Sequence, residues 1–102
     1  MSEGQPNPYR LEDGKGVKEQ VRVIMGIAEA AGKLDRFLDA MKKARHELRN
    51  SPSAWGDPEY TVMSVRAVVY HGIARPLSFR FAVFEQHHAV VILDVRMIAD
   101  FD

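Results

Sequence analysis

Leu34-Asp35-Arg36-Phe37-Leu38-Asp39-Ala40-Met41-Lys42-Lys43-Ala44-Arg45-His46-Glu47-Leu48 returns to apolar residues every three or four positions, whereas Leu77-Ser78-Phe79-Arg80-Phe81-Ala82-Val83-Phe84 does so at every second position. The first spacing puts apolar side chains on one face of an α-helix; the second puts them on one face of a β-strand. The change of period falls near Pro52, and it decides the fold. A helical first half must bury its stripe against a second half made of sheet.

In the helical stretch Leu34, Phe37, Leu38, Met41, Ala44 and Leu48 form the stripe, and Arg36, Lys42, Lys43, Arg45, His46 and Arg49 lie opposite. Asn50-Ser51-Pro52 ends it. Upstream, Val17, Val21, Ile24, Ala28 and Ala31 recur with the same period, and Met25 and Ile27 widen that stripe. Gly32 suits the helix C-terminus, where the left-handed conformation favours glycine. Gly26 is expected to mark close packing against the second helix. The connection is short, so the two helices should form an antiparallel hairpin.

Three strands are expected downstream, over residues 64–73, 77–85 and 89–97. Phe79, Phe81, Val83, Val91, Leu93 and Val95 should form the face that receives the helices. The other face then carries Arg66, Arg80, Asp94 and Arg96 among apolar residues. Residues 85–88 have hairpin length, so the last two strands should pair antiparallel. Trp55-Gly56-Asp57-Pro58-Glu59-Tyr60 reads as a turn-rich connector with its aromatics tucked against the core, and Tyr9-Arg10-Leu11-Glu12 as a short edge strand before the Asp13-Gly14 turn. The expected fold is α+β: an antiparallel helical hairpin on one face of a three- to four-stranded antiparallel sheet, in the order (β)-α-α-β-β-β. Residues 1–16 form a flexible N-terminal segment, with Ser2 to Asn7 as a polar lead-in, and residues 17–102 form a single domain.

A chain of 102 residues, 46% of them hydrophobic, is the size and composition of one globular domain. It has no cysteine, which excludes thiol catalysis, disulfides and Cys-ligated zinc. Its longest apolar run, Ala89 to Leu93, is far short of the ~20 residues of a membrane-spanning helix. With no signal-like N-terminus, a cytoplasmic location is expected. Fourteen basic residues balance fourteen acidic ones, unevenly: residues 17–51 carry a net +3 and residues 52–102 a net −2. That excess is small for a module that must neutralise several phosphates, so strong nucleic-acid binding is not expected.

Arg66, Arg80 and Arg96 fall on successive expected strands. Converging, they would grip a phosphate or a partner's carboxylate, with Asp94 and Phe84 beside them. The ordinary alternative is cross-strand pairing with Asp94 and Glu85 on a solvated face. His71 and Tyr70 would supply a general base and a phenolic donor. His87-His88 lacks a third ligand, so no metal site is expected, and no cofactor motif is present. The basic face of the second helix, including Lys42, Lys43, Arg45 and Arg49, reads as solvated surface, and Trp55 and Tyr60 as aromatic plugs of a small core.

The element order, with Phe79-Arg80-Phe81-Ala82-Val83 followed by Val91-Ile92-Leu93-Asp94-Val95, resembles the RelE/ParE toxin-like superfamily over roughly residues 17–98. In those proteins a segment like Tyr-Arg-Val-Ile-Tyr precedes a hydrophobic strand and a Gly-His-Arg motif, and the fold is a helical hairpin on an antiparallel sheet. Phe79 falls on the family's tyrosine, Arg80 on its arginine, and Leu93 and Val95 on its strand residues. Arg96-Met97-Ile98 stand where Gly-His-Arg is expected, and Phe101 has no hydroxyl to replace a C-terminal catalytic tyrosine. The resemblance implies a diverged toxin of a bacterial toxin–antitoxin type system. It would act as a ParE-like protein-interaction domain without strong catalytic activity, binding an antitoxin-like peptide through Arg80 and Arg96. A ribosome-dependent endoribonuclease of RelE type is the alternative, with Arg66, Arg80 and Arg96 stabilising charge and His71 or Tyr70 moving protons. A third reading is a homo-oligomer joined through Val68, Tyr70, Phe84, Val90 and Ile92.

Overall fold

The computed structural model describes residues 7–101. The lead-in from Ser2 to Pro6 lies outside them. The chain runs through β1 (Arg10–Asp13), α1 (Val17–Ala30), α2 (Leu34–Asn50), a four-residue α3 (Pro52–Trp55), β2 (Asp57–Val62), β3 (Ala67–Ala74), β4 (Leu77–Phe84) and β5 (Ala89–Met97). The strands form one five-stranded sheet in the order β1-β5-β4-β3-β2. The fold is α+β, as expected, with two departures. The sheet has five strands rather than three or four, and it is mixed, because β1 pairs parallel to β5 at one edge.

The added strand is β2, which comes from the stretch read as a connector. Pro58 and the bulge at Glu59 hid it, since both are features of edge strands, and β2 is an edge. The segment expected to begin a strand at Ser64 is instead a three-ten turn, Met63–Val65, and Arg66 follows it in the left-handed conformation at φ 52°. The β4–β5 connection repeats the device, with a turn over Glu85–His87 and His88 at φ 51°.

The two long helices begin and end close to their expected limits. Lys33 N–H donates to Ala28 O and Gly32 N–H to Glu29 O, with Gly32 at φ 71°, so α1 ends in a Schellman motif. Val17, Ile24 and Ala28 of α1, with Phe37, Ala40, Met41, Ala44 and Leu48 of α2, are buried against Leu77, Phe79, Phe81, Val83, Val90, Ile92 and Val95 of the sheet. Each fully buried phenylalanine here contributes roughly 1.5–3 kcal/mol through the apolar area removed from water. Met25, Ile27 and Leu38 are exposed, so both helical stripes are narrower than the sequence suggests. Gly26 is also open to solvent rather than packed on α2.

Trp55 meets the core as expected, stacked on Phe81 with ring centroids 5.8 Å apart. A Cβ on Gly72 would lie 2.6 Å from the Trp55 ring, so the glycine makes the seat for the indole. Tyr60 points outward from β2 and is exposed. None of the helices among the described residues is long and apolar enough to cross a membrane.

The largest departure lies inside β5. Phe81 pairs with Ile92 but Arg80 pairs with Asp94, so Leu93 is an extra residue and the strand bulges there. One extra residue reverses the side-chain phase. Val90 and Ile92, expected on the outer face, are buried beneath the helices, whereas Val91 belongs to the outer face and Leu93 is exposed. Beyond the bulge, Val95 returns to the expected helix-side position. Gln20 of α1 fills the break: its Oε1 accepts from Val95 N–H at 3.0 Å, and its Nε2 donates to Asp94 Oδ1 at 2.8 Å.

Candidate functional site

α1 and α2 cover one face of the sheet; among the described residues the other carries no helix. There, Asp57 of β2 lies opposite His71 of β3, His71 opposite Arg80 of β4, and Arg80 opposite Asp94 of β5. Four neighbouring strands thus place one ionisable residue each in a single row. With about 4.8 Å between strands the row is roughly 15 Å long. Ser78 and Arg96 pair in the next row. His71, Ser78, Arg80, Asp94 and Arg96, with Met97 and Ile98, line a depression of about 340 Å³.

The bulge at Leu93 is what completes this group. Were Leu93 paired in regular alternation after Ile92, Asp94 and Arg96 would fall on the helix side and the row would stop at Arg80. Gln20 therefore acts on the site from behind the sheet, by holding the bulge and one Asp94 oxygen.

Both guanidiniums are already partnered. Arg80 Nε donates to Glu59 Oε1 at 2.9 Å, and Arg96 Nε donates to Asp94 Oδ2 at 2.7 Å. The hydrogen bond to Glu59, then the charge of Glu59, hold the Arg80 guanidinium in its protonated form and raise its pKa. With Asp57 included, two arginines face three carboxylates, so the row carries no surplus positive charge. It can orient an incoming carboxylate by exchanging ion-pair partners. It is poorly built to accumulate the negative charge of a phosphoryl transition state, which needs uncompensated donors.

Beside the depression lies an apolar patch on the same face. Ala67, Val69 and Ala82 are buried there, with Val62 and Phe84 packed on them.

Of the residues expected to form the site, Arg80, Arg96, Asp94 and His71 come together, and Phe84 sits in the adjoining patch. Arg66 does not join them. It occupies the left-handed corner between β2 and β3, beyond the row that contains Phe84. At about 3.4 Å per residue it lies more than 10 Å along the sheet from Arg80. Tyr70 lies on the opposite face from His71, stacked on Phe81 at 5.6 Å, so the two cannot act on one substrate. Val68, Tyr70, Val90 and Ile92 belong to the helix-side rows, which removes them from the expected oligomer interface; Phe84 alone of that set faces outward.

Ser78 and Glu59 are members that the sequence pattern did not reveal. Ser78 was the small polar residue of an alternating strand, and Glu59 was assigned to a connector. Glu85, expected to pair with an arginine, instead accepts the Tyr9 hydroxyl at 2.8 Å. Tyr9 also stacks on His88 at 3.9 Å, which ties the chain before β1 to the β4–β5 turn. Partial burial, then the hydrogen bond and charge of Glu85, raise the Tyr9 pKa. His87 is exposed, and among the described residues no group of three His, Asp or Glu side chains is placed to hold a metal ion.

Comparisons with family models, with curated proteins and with solved structures give no match.

Proposed function

We propose that this chain is a small protein-interaction domain of toxin-like type, and that the uncovered face of the sheet captures an acidic, extended segment of a partner protein. The observation that carries this reading is the conjunction on that face of two carboxylate-held arginines, Arg80 and Arg96, with the apolar patch around Val69, Ala82 and Phe84. The ion pairs already fix the guanidiniums through their Nε atoms, so a partner carboxylate replaces Glu59 or Asp94 without first ordering the arginine. The apolar patch supplies the desolvated contact that a purely charged surface lacks. Arg96, with a side chain 71% exposed, is the more accessible of the two. A diverged antitoxin-binding protein of the RelE/ParE kind is the identity that best suits this arrangement together with the resemblance in β4 and β5.

The product of a small reading frame adjacent to this gene is the natural probe. Co-expressed with it, the parent protein should retain it on an affinity column. Arg80→Ala and Arg96→Ala should lower its affinity by about tenfold or more, the cost of ~1.4 kcal/mol or above. Equal capture by parent and variants would remove the reading.

A RelE-type endoribonuclease is the second reading, favoured by one observation: His71 shares the depression with Ser78, Arg80 and Arg96. In that case His71 moves the proton and the arginines stabilise charge, without Arg66 or Tyr70. Adding the protein to a translating extract should then shorten the mRNA, and His71→Ala should prevent it. Intact mRNA with the parent protein excludes this activity.

A further inference from the structure

We propose that the crevice enclosed by β1, the start of α1 and the end of α2 binds a small amphiphilic anion, one carboxylate head on a short apolar body. The crevice lies on the opposite side of the sheet from Arg80 and Arg96, so this inference does not depend on the function proposed for that face.

Its volume is about 370 Å³, within the ordinary range of small-ligand sites, roughly 300–1,000 Å³. Val17, Met41 and Ile92 are its buried apolar floor, and Leu11 and Val21 are its half-buried walls. Lys18, Arg45, Arg49 and Asp13 stand at the rim. Three cations therefore meet one carboxylate.

The three cations of the crevice are also not taken up by ion pairs of their own among the described residues. Arg10, Arg22, Arg80 and Arg96 each bridge a carboxylate at 2.6–2.9 Å. Lys18, Arg45 and Arg49 have no ion-pair partner among the described residues. Arg45 and Arg49 also stand four residues apart on α2, where like charges repel. A bound anion would relieve that repulsion.

The second observation concerns the apolar end. A further hollow of about 380 Å³ continues the crevice between the helices and shares Val21, Met41 and Arg45 with it. Met25, Phe37 and Leu38 line this extension, with Lys42 at its edge. Leu38 is 48% exposed and Met25 38%, although both face the groove between two packed helices. The crevice and its extension thus form a continuous apolar trough, with cations beside both parts and the single carboxylate, Asp13, in the first. A bare anion would use only the rim, and a neutral hydrocarbon would leave the cations uncompensated. An amphiphilic carboxylate satisfies both.

The test is titration of the intact protein with octanoate at low salt, followed by two-dimensional NMR. Saturable one-to-one binding is expected, with shifts concentrated at Leu11, Val17, Val21, Met41 and Ile92. Acetate (head alone) and octanol (tail alone) should each bind at least about tenfold more weakly. The exposed pair Arg45→Gln/Arg49→Gln should lose at least about tenfold in octanoate affinity with a thermal midpoint that does not fall. Absence of saturation, shifts elsewhere, acetate binding as tightly as octanoate, or unaltered binding by the double variant would each overturn the proposal. So would binding to anionic phosphatidylglycerol vesicles without any response to octanoate, which would make the three cations a membrane-surface patch.

Discussion

On β4, Phe79 and Phe81 are sealed beneath the helices at 1% and 0% exposure, while Arg80 between them faces away from the helices, paired with Glu59. The two faces of the sheet are built from alternate residues of the same strands, yet different physics governs them. The helix side is held by close packing of large rings, where a lost methylene is felt directly. The open side is held by ion pairs and a small apolar patch, where solvent screens much of each interaction. Stability should therefore reside on one face, and recognition can be altered on the other without unfolding the chain.

Phe81→Ala should break the comparison most severely. It removes the ring stacked between Trp55 and Tyr70 and leaves a cavity, at a cost of about 3–5 kcal/mol in urea or thermal unfolding. Less than 1 kcal/mol would mean that this face is not the packed one.

Gln20→Ala comes next, because its carboxamide serves both faces through the bulge. It leaves Val95 N–H and one Asp94 oxygen without their partners, at about 1–2 kcal/mol. Amide exchange at Val95 should quicken more than at Val90, whose part of β5 is flanked by β1. Uniform quickening along β5 would instead indicate global destabilisation.

These two substitutions also separate what the sequence discloses from what it conceals. α2 and β4 are legible because each keeps one period from end to end, and Arg80 is legible as the cation of an alternating aromatic strand. β5 is legible as a strand but not in its phase. Nothing about Leu93-Asp94 announces an extra residue, and the bulge depends on a glutamine about seventy positions earlier. β2 is obscured by Asp57-Pro58, the composition of a turn used in an edge strand. With it went Glu59, so the partner of Arg80 could not be named. Arg66 was misplaced for a related reason: a β-branched run suggested strand where a three-ten turn intervenes.

The remaining predictions sharpen the contrast at small amplitude. Tyr9→Phe should cost about 1 kcal/mol or less at neutral pH, since the Tyr9–Glu85 bond is exposed. Because the folded protein raises the Tyr9 pKa, this contribution is present below the ordinary tyrosine pKa of about 10 and is lost as pH rises through the folded value. The difference between parent and variant should shrink in that alkaline window; a constant difference would show that the hydroxyl proton is irrelevant. Arg80→Ala should change stability least, by about 0.5 kcal/mol or less in the same unfolding assay, because its ion pair is partly solvated. A loss of several kcal/mol would place Arg80 in the structural framework rather than on a recognition surface.

The absence of native cysteine allows the assignment of faces to be measured directly. Single Ile92→Cys, Leu93→Cys and Arg80→Cys variants would be treated with a maleimide under folding conditions. Leu93→Cys and Arg80→Cys should react readily, whereas Ile92→Cys should be protected by on the order of a hundredfold or more until the protein opens. Labelling of Ile92→Cys as fast as Leu93→Cys would contradict the bulge, the burial of β5 beneath the helices, and the row of charged residues that the bulge completes.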